Sequence, residues 1–397
     1  EQLIGLPILG HASSQVDNIT IRYVAMIGSG VGDGSKGRIG IYSAPSAGYN
    51  TYNVTISNCY FSGNHVNIYP LYASYWTIEN SYFADNWSSA ANHGEQIAPK
   101  TSDDFIIRNN VFKNTTLYVV GSHCVVSGDR CNFRYKIYNN IVDGMAEGTS
   151  FNSAFGNATV SYANTNIQWE VHHNTILNVD FTNTTAQGLV FTGYMGDVET
   201  DHHNVYNNLF YNCTNPRLNH LAPYTAGQVV HDNNAFMACT AGSGGEIPTE
   251  TNGQVDADAP STIFTNYAGG DYTINASDQT AIDHIIGKGK TDLDLIYKDD
   301  AAGNERDATP DIGAFEAGAS ADTTPPTITS ATINAAGDTL TIVFSEIVSV
   351  TTSTGFTLNM NGGAAGLTYS SGSGTNSLVY LITGRNIDTA ETGTLDY

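Results

Sequence analysis

With 397 residues the chain is long enough for two or three domains and a sizeable core, yet only 13% of it is charged, about half the usual share. Its net charge of −23, from 38 acidic against 15 basic residues, repels nucleic acid and anionic membranes. No stretch approaches the roughly 18 apolar residues of a spanning helix, so no membrane insertion is expected.

The chain opens in Glu-Gln-Leu-Ile-Gly-Leu, as if in mid-coil and without Met or a leader, and is read as a mature or trimmed fragment. An apolar strand then runs seven times into an Asn-centred turn. The copies are Val-Thr-Ile-Ser-Asn58, Trp-Thr-Ile-Glu-Asn80, Phe-Ile-Ile-Arg-Asn109, Tyr-Lys-Ile-Tyr-Asn139, Trp-Glu-Val-His-His173, Asn-Val-Tyr-Asn207 and Val-His-Asp-Asn233; Ile-Thr-Ile-Arg-Tyr23 is a degenerate eighth. The marked positions recur every 22 to 34 residues, a spacing that makes one repeat one coil of a solenoid. Each strand alternates with a period of two, and Asn suits a sharp bend because it tolerates left-handed backbone. The prediction is an all-β chain whose residues 1–317 form a right-handed parallel β-helix. Asn58, Asn80, Asn109, Asn139, Asn207 and Asn233 are expected to form one stacked amide ladder, interrupted by His173. The repeats are too short for the blades of a propeller.

Two similar coils carry the clustered titratable residues, Gly63-Asn-His65-Val-Asn-Ile-Tyr-Pro70 and Ala91-Asn-His93-Gly-Glu95-Gln-Ile-Ala-Pro-Lys100. Aligning Asn-His puts His65 and His93 on adjacent rungs, with Glu95 and Lys100 along the same strand, Asp103 and Asp104 just after it, and His123 near the equivalent edge one coil later. A lyase acting on a uronate polymer would use Lys100 as base and calcium held by Asp103 and Asp104. A glycosidase would use Glu95 with Asp103 or Asp104. The plain alternative is that the histidines stack as exposed neighbours and the acids solvate a loop. With 15 basic residues in the whole chain, a cleft for a polyanion is hard to build, so a neutral glycan fits better, and the 23 Tyr and 3 Trp offer flat faces to sugar rings.

Cys213 and Cys239 both lie six residues after their ladder Asn, which in stacked coils leaves their Cα atoms about one strand spacing apart, within the range a disulfide accepts. Cys124 and Cys131 bracket a short polar loop and are a second candidate pair, leaving Cys59 over; the alternative for all of them is service as small buried hydrophobes. The doublets His172-His173 and His202-His203 suggest zinc, but they do not share a register. Glu170 with His172 is the surface metal site that survives this objection.

Asp271-Tyr-Thr-Ile-Asn-Ala-Ser-Asp-Gln-Thr-Ala-Ile-Asp283, Asp299-Asp-Ala-Ala-Gly-Asn-Glu-Arg306 and Pro310-Asp-Ile-Gly-Ala-Phe-Glu316 resemble the closing segment of bacterial secreted β-helix proteins of pectate-lyase-like type. The resemblance implies a capping coil over about 271–317 in which Arg306 pairs with carboxylates. A linker, 318–326, follows. Alternating strands beginning at Thr327, Thr339, Phe356 and Leu378 then read as a β-sandwich. Asp-Thr-Thr-Pro-Pro326 and Thr-Ile-Val-Phe-Ser-Glu-Ile-Val348 resemble a bacterial Ig-like domain of surface-layer and large secreted proteins, here (327–397) short of its last strands. In the families resembled, β-helix faces bind or cleave polysaccharide. The expectation is a secreted or cell-surface protein with a structural or adhesive role (adhesin stalk, surface-layer component or fibre subunit) that contacts polysaccharide and can self-assemble. The alternative is a polysaccharide lyase or glycoside hydrolase.

Overall fold

The computed structural model describes residues 2–6, 16–28, 39–43, 51–87, 94–115, 118–122, 132–145, 153–157, 166–181, 188–192, 202–216, 219–220, 229–241, 247–291, 298–318, 326–348, 356–361, 363–372, 375–388 and 391–396. The chain divides into two compact units, one of residues 1–292 with 299–320 and the other of 293–298 with 321–397.

The first unit is all-β and consists chiefly of three long parallel sheets, an arrangement compatible with a parallel β-helix. Each pass of the chain adds one strand to each sheet. Sheet A runs from Gln2–Leu6 through Ile39–Ser43, Val66–Pro70, Glu95–Ile97 and Tyr118–Ser122 to Asn219–His220. Sheet B runs from Val16–Arg22 through Thr51–Ser57, Ala73–Glu79, Asp103–Arg108, Asn132–Tyr138 and Asn166–His172 to Val229–Asp232, and sheet C from Ala25–Ile27 to Gln254–Asp256. Because the strands stack in register, like side chains stack too. Phe61, Phe83 and Phe112 lie ring over ring with both centroid spacings at 4.8 Å, and Trp76, Phe105, Tyr135 and Trp169 form a second column at 5.9, 5.3 and 5.2 Å. Both columns are buried in one continuous core.

The corner between sheets B and C explains the Asn repeat. Tyr23, Asn58, Asn80, Asn109, Asn139, His173, Asn207 and Asn233 all adopt left-handed φ between 50° and 56°. The amide ladder, however, is formed by the next residue. A left-handed corner swings its successor inward, so the buried column is Cys59, Ser81, Asn110, Asn140, Asn174, Asn208 and Asn234. At Asn140 the backbone N–H and Nδ2 both donate to Asn174 Oδ1 at 3.0 Å, and Nδ2 also donates to the Ile107 carbonyl at 2.8 Å. Three of the corner residues instead grip a later segment: Asn139 Nδ2 donates to the Asp299 carbonyl at 2.7 Å, Asn233 Nδ2 to that of Lys288 at 3.0 Å, and Asn207 Oδ1 accepts the Lys290 N–H at 2.7 Å.

That later segment falls within the stretch 271–317 expected to be a capping coil, but it lies along the flank of the solenoid. Ala259, Ile263, Phe264, Tyr272, Ile274, Ala281, Ile285, Ile312 and Ala314 pack on the outward Ile141, Leu177, Leu209, Tyr211, Ala235 and Met237 of sheet C. Arg306, buried, is bonded to Glu316 at 3.1 Å and donates to Asn139 Oδ1 at 3.0 Å. Gly313 (φ +105°) sits so close that a Cβ there would meet Thr175 Oγ1 at 3.0 Å and Leu209 Cβ at 3.1 Å. The reason for the flanking placement is chemical: outward sheet C positions are apolar in these coils and would otherwise meet water.

The second unit contains six antiparallel strands, in the order Ile328–Ile333, Thr339–Val348, Thr375–Thr383, Gly363–Ser371, Thr357–Met360, Gly393–Asp396. Leu340, Ile342, Phe344, Leu358, Leu378, Tyr380 and Ile382 form its core. Most of the expected linker lies outside the described residues.

Candidate functional site

Register on sheet A assembles the candidate cluster. Glu95 pairs with Tyr118, and Ile97 with Ile68 and Val120. This brings the Glu95 side chain against Gly121, where a Cβ would lie 2.7 Å from Glu95 Cγ; the carboxylate has room because position 121 has no side chain. Tyr69 lies beside Tyr42 with centroids 5.5 Å apart, and Lys100 Nζ lies 5.5 Å from the Tyr69 centroid. Glu95 is 0% and Lys100 3% exposed. Burial lowers the Lys100 ammonium to about 8, with the attraction of Glu95 working the other way. Burial, with Tyr42 and Glu95 adding, pushes the Tyr69 phenol up to about 12.

The structure therefore unites Glu95 and Lys100 electrostatically, in the interior and not on an exposed face. Chemically, the pair holds a lysine that is part neutral near pH 8 beside a carboxylate, and both side chains are buried. His65 is also buried, its ring 4.7 Å from that of Trp87. His93 and His123 lie outside the described residues.

Asp103 and Asp104 are committed elsewhere. Arg134 Nε donates to Asp103 Oδ1 at 3.1 Å, and its Nη2 donates to Asp103 Oδ2 at 2.8 Å and Asp104 Oδ2 at 2.6 Å. The donor set does not suit calcium, since a cation there would meet a guanidinium already occupying both carboxylates. Among the described residues no group of three or more His, Cys, Asp or Glu is placed to hold a metal.

Of the two doublets, His172, His173 and His203 are buried; the side chain of His202 lies outside the described residues. His172 and His173 place their Nδ1 atoms 2.9 Å apart, His173 Nε2 lies 3.0 Å from Asn207 Nδ2, and His172 stacks on Tyr138 at 5.2 Å. Burial, with Arg306 adding, drops His172 to about 3 and His173 well below its ordinary value, so both are neutral. Glu170 meanwhile pairs with Lys136 at 3.7 Å, so the surface metal site drawn from Glu170 and His172 is not formed. His203 meets the Trp169 ring edge-on in the core.

Cys213 and Cys239 occupy matching places after the paired Tyr211 and Met237, and their thiols interact, but both are free. Each sulfur donates to a backbone carbonyl, Cys213 to Ile176 and Cys239 to Met237, which satisfies it without a bond between them. Cys59 is likewise a free buried thiol; Cys124 and Cys131 lie outside the described residues.

Sequence reasoning missed a feature on the outer face of sheet B. Asn18, Asn53, Tyr75 and Asp104 occupy equivalent places on four successive coils, all at φ between 53° and 60°, and the strand register skips each of them. The signal was present in the spacing of buried positions: Thr51 and Val54, Ala73 and Trp76, Ser102 and Phe105 are three apart, where a flat strand needs two.

Comparison of the chain with protein-family models and with curated proteins gives no match.

Proposed function

We propose that the chain is a secreted or cell-surface protein, a right-handed parallel β-helix followed by an Ig-like β-sandwich, with a structural or adhesive role that includes contact with polysaccharide. The handedness follows the rule for parallel crossovers. One observation carries the reading: Glu95 and Lys100, the titratable pair best suited to catalysis, are buried, whereas the outer face of sheet B presents aromatic and hydrogen-bonding side chains to solvent. Contact without cleavage is the function that such a distribution supports. Gel retardation of the full chain in soluble polysaccharides, neutral and uronate, tests it; retardation by at least one polymer is expected, and unaltered migration in all of them refutes contact.

The second reading, a polysaccharide lyase or glycoside hydrolase, is favoured by one observation, the lowering of Lys100 to about 8 beside Glu95, since shifted ionisable groups mark catalytic sites.

A further inference from the structure

The bulged column on sheet B ends in an ordered polar device. Its first two members, Asn18 and Asn53, are exposed, and the third, Tyr75, is 55% exposed with its ring 6.4 Å from that of Tyr52 at 26°. The fourth, Asp104, accepts a hydrogen bond from the Tyr75 hydroxyl. On the next coil the equivalent place is taken by Arg134, just before the paired Phe105 and Tyr135, and it reaches back to hold Asp103 and Asp104 together. Beside it Lys136 pairs with Glu170.

Two features of this strip bear on what it would bind, the first of them shared with Tyr23 and Tyr72, which also hold left-handed φ. A tyrosine in left-handed backbone inside a strand is a steric outlier, and such strain gathers where side chains are aimed at a ligand. Most of the acidic groups are also met by a cation on a chain of net −23: one guanidinium bridges two carboxylates, leaving a net charge of −1 there, and Lys136 answers Glu170. A polyanion gains nothing there, whereas fixed donors and acceptors beside a flat aromatic face match the hydroxyls and ring faces of a sugar. The strip also repeats coil by coil at about 4.8 Å, which suits a polymer better than a single small molecule.

We propose that the strip Asn18, Asn53, Tyr75 and Asp104, closed by Arg134, is a binding site for a neutral, hydroxyl-rich polysaccharide. The proposal rests on the polysaccharide-contact reading above and adds its location and ligand class. Tyr75 supplies the stacking face; the Asp103–Asp104–Arg134 fork supplies paired acceptors and donors for neighbouring hydroxyls.

The test measures affinities of the full chain for neutral glucans, mannans and galactans, with a uronate polymer beside them, for wild type, Tyr75→Gly and Arg134→Gln. Glycine takes the φ of Tyr75 freely, so Tyr75→Gly removes the ring without disturbing the turn. The expected result is binding of a neutral polymer that weakens by about tenfold or more in each variant, with unchanged thermal midpoint for Tyr75→Gly. Neutral-polymer binding that survives in both variants within twofold overturns the strip and leaves polysaccharide contact standing. Binding of the uronate polymer alone overturns the ligand class and again leaves contact standing; binding of no polysaccharide overturns both.

Discussion

The Glu250 carboxylate fills the place of the buried ladder's next side chain, where the residue in register with Asn234 is Gly253. Glu250 Oε2 accepts the Asn234 backbone N–H at 2.8 Å, its Oε1 accepts Asn234 Nδ2 at 2.8 Å, and His231 Nδ1 lies 2.9 Å from the same Oε1. A ladder in which every rung donates to the next needs an acceptor at its end, and this carboxylate supplies it.

Glu250→Ala should therefore destabilise the first unit by about 2 to 4 kcal/mol, because two donors of Asn234 lose a charged acceptor. Glu250→Gln keeps one amide oxygen and should cost about half as much. Urea unfolding followed by tryptophan fluorescence reports on this unit, since Trp76, Trp87 and Trp169 all belong to it. Equal stability of Glu250→Ala and wild type would remove the ladder terminus from the account.

Corner and ladder asparagines should respond in opposite ways. Asn140→Ala strands the buried N–H of Asn110 and Asn140's own carbonyl partners, a loss of about 1 to 3 kcal/mol. Asn80→Gly keeps the left-handed corner and should stay within about 0.5 kcal/mol of wild type, while Asn80→Val should cost about 1 to 2 kcal/mol. Denaturant midpoints of the three variants decide the order; an Asn80→Gly variant weaker than Asn140→Ala would reverse the assignment.

Glu95 and Lys100 should behave as a coupled buried pair. Either Glu95→Gln or Lys100→Met alone leaves one charge uncompensated and should cost about 3 to 5 kcal/mol, whereas the double variant should recover most of it. The pH dependence has a definite sign. Lys100 keeps its proton to about 10.5 when unfolded but releases it near 8 when folded, so the unfolded chain binds more protons in that interval. Wild-type stability should then rise with pH from about 8 to about 10.5 relative to the double variant. Parallel pH profiles would contradict this.

Which parts of this were legible beforehand follows from the residues. The left-handed corners were, because Asn at the end of an alternating strand has few other uses. The ladder was displaced by one, because Asn109-Asn110, Asn139-Asn140, Asn207-Asn208 and Asn233-Asn234 do not reveal which member bends and which turns inward. His173-Asn174 holds the clue, since a histidine can bend but its successor must bond both neighbours. Arg134 was invisible beside Asp103 because 31 residues separate them and only the coil register joins them. The inward turn of Glu95 depends on Gly121 being small one coil later, a condition no local pattern expresses. The flanking course of the closing segment depends on outward Leu177, Leu209 and Met237, which alternation alone cannot tell from a polar face.

The central claim, contact with polysaccharide without cleavage, is tested most directly by counting chain ends. Each polymer that retards the protein should be incubated with it over hours, and both new reducing ends and the ultraviolet absorbance of unsaturated uronate should be followed. Neither should rise above a protein-free control. Chain ends that accumulate with wild type would contradict the account, and their loss in a Glu95→Gln or Lys100→Ala variant that keeps the folded circular dichroism spectrum would make the buried pair a catalytic one.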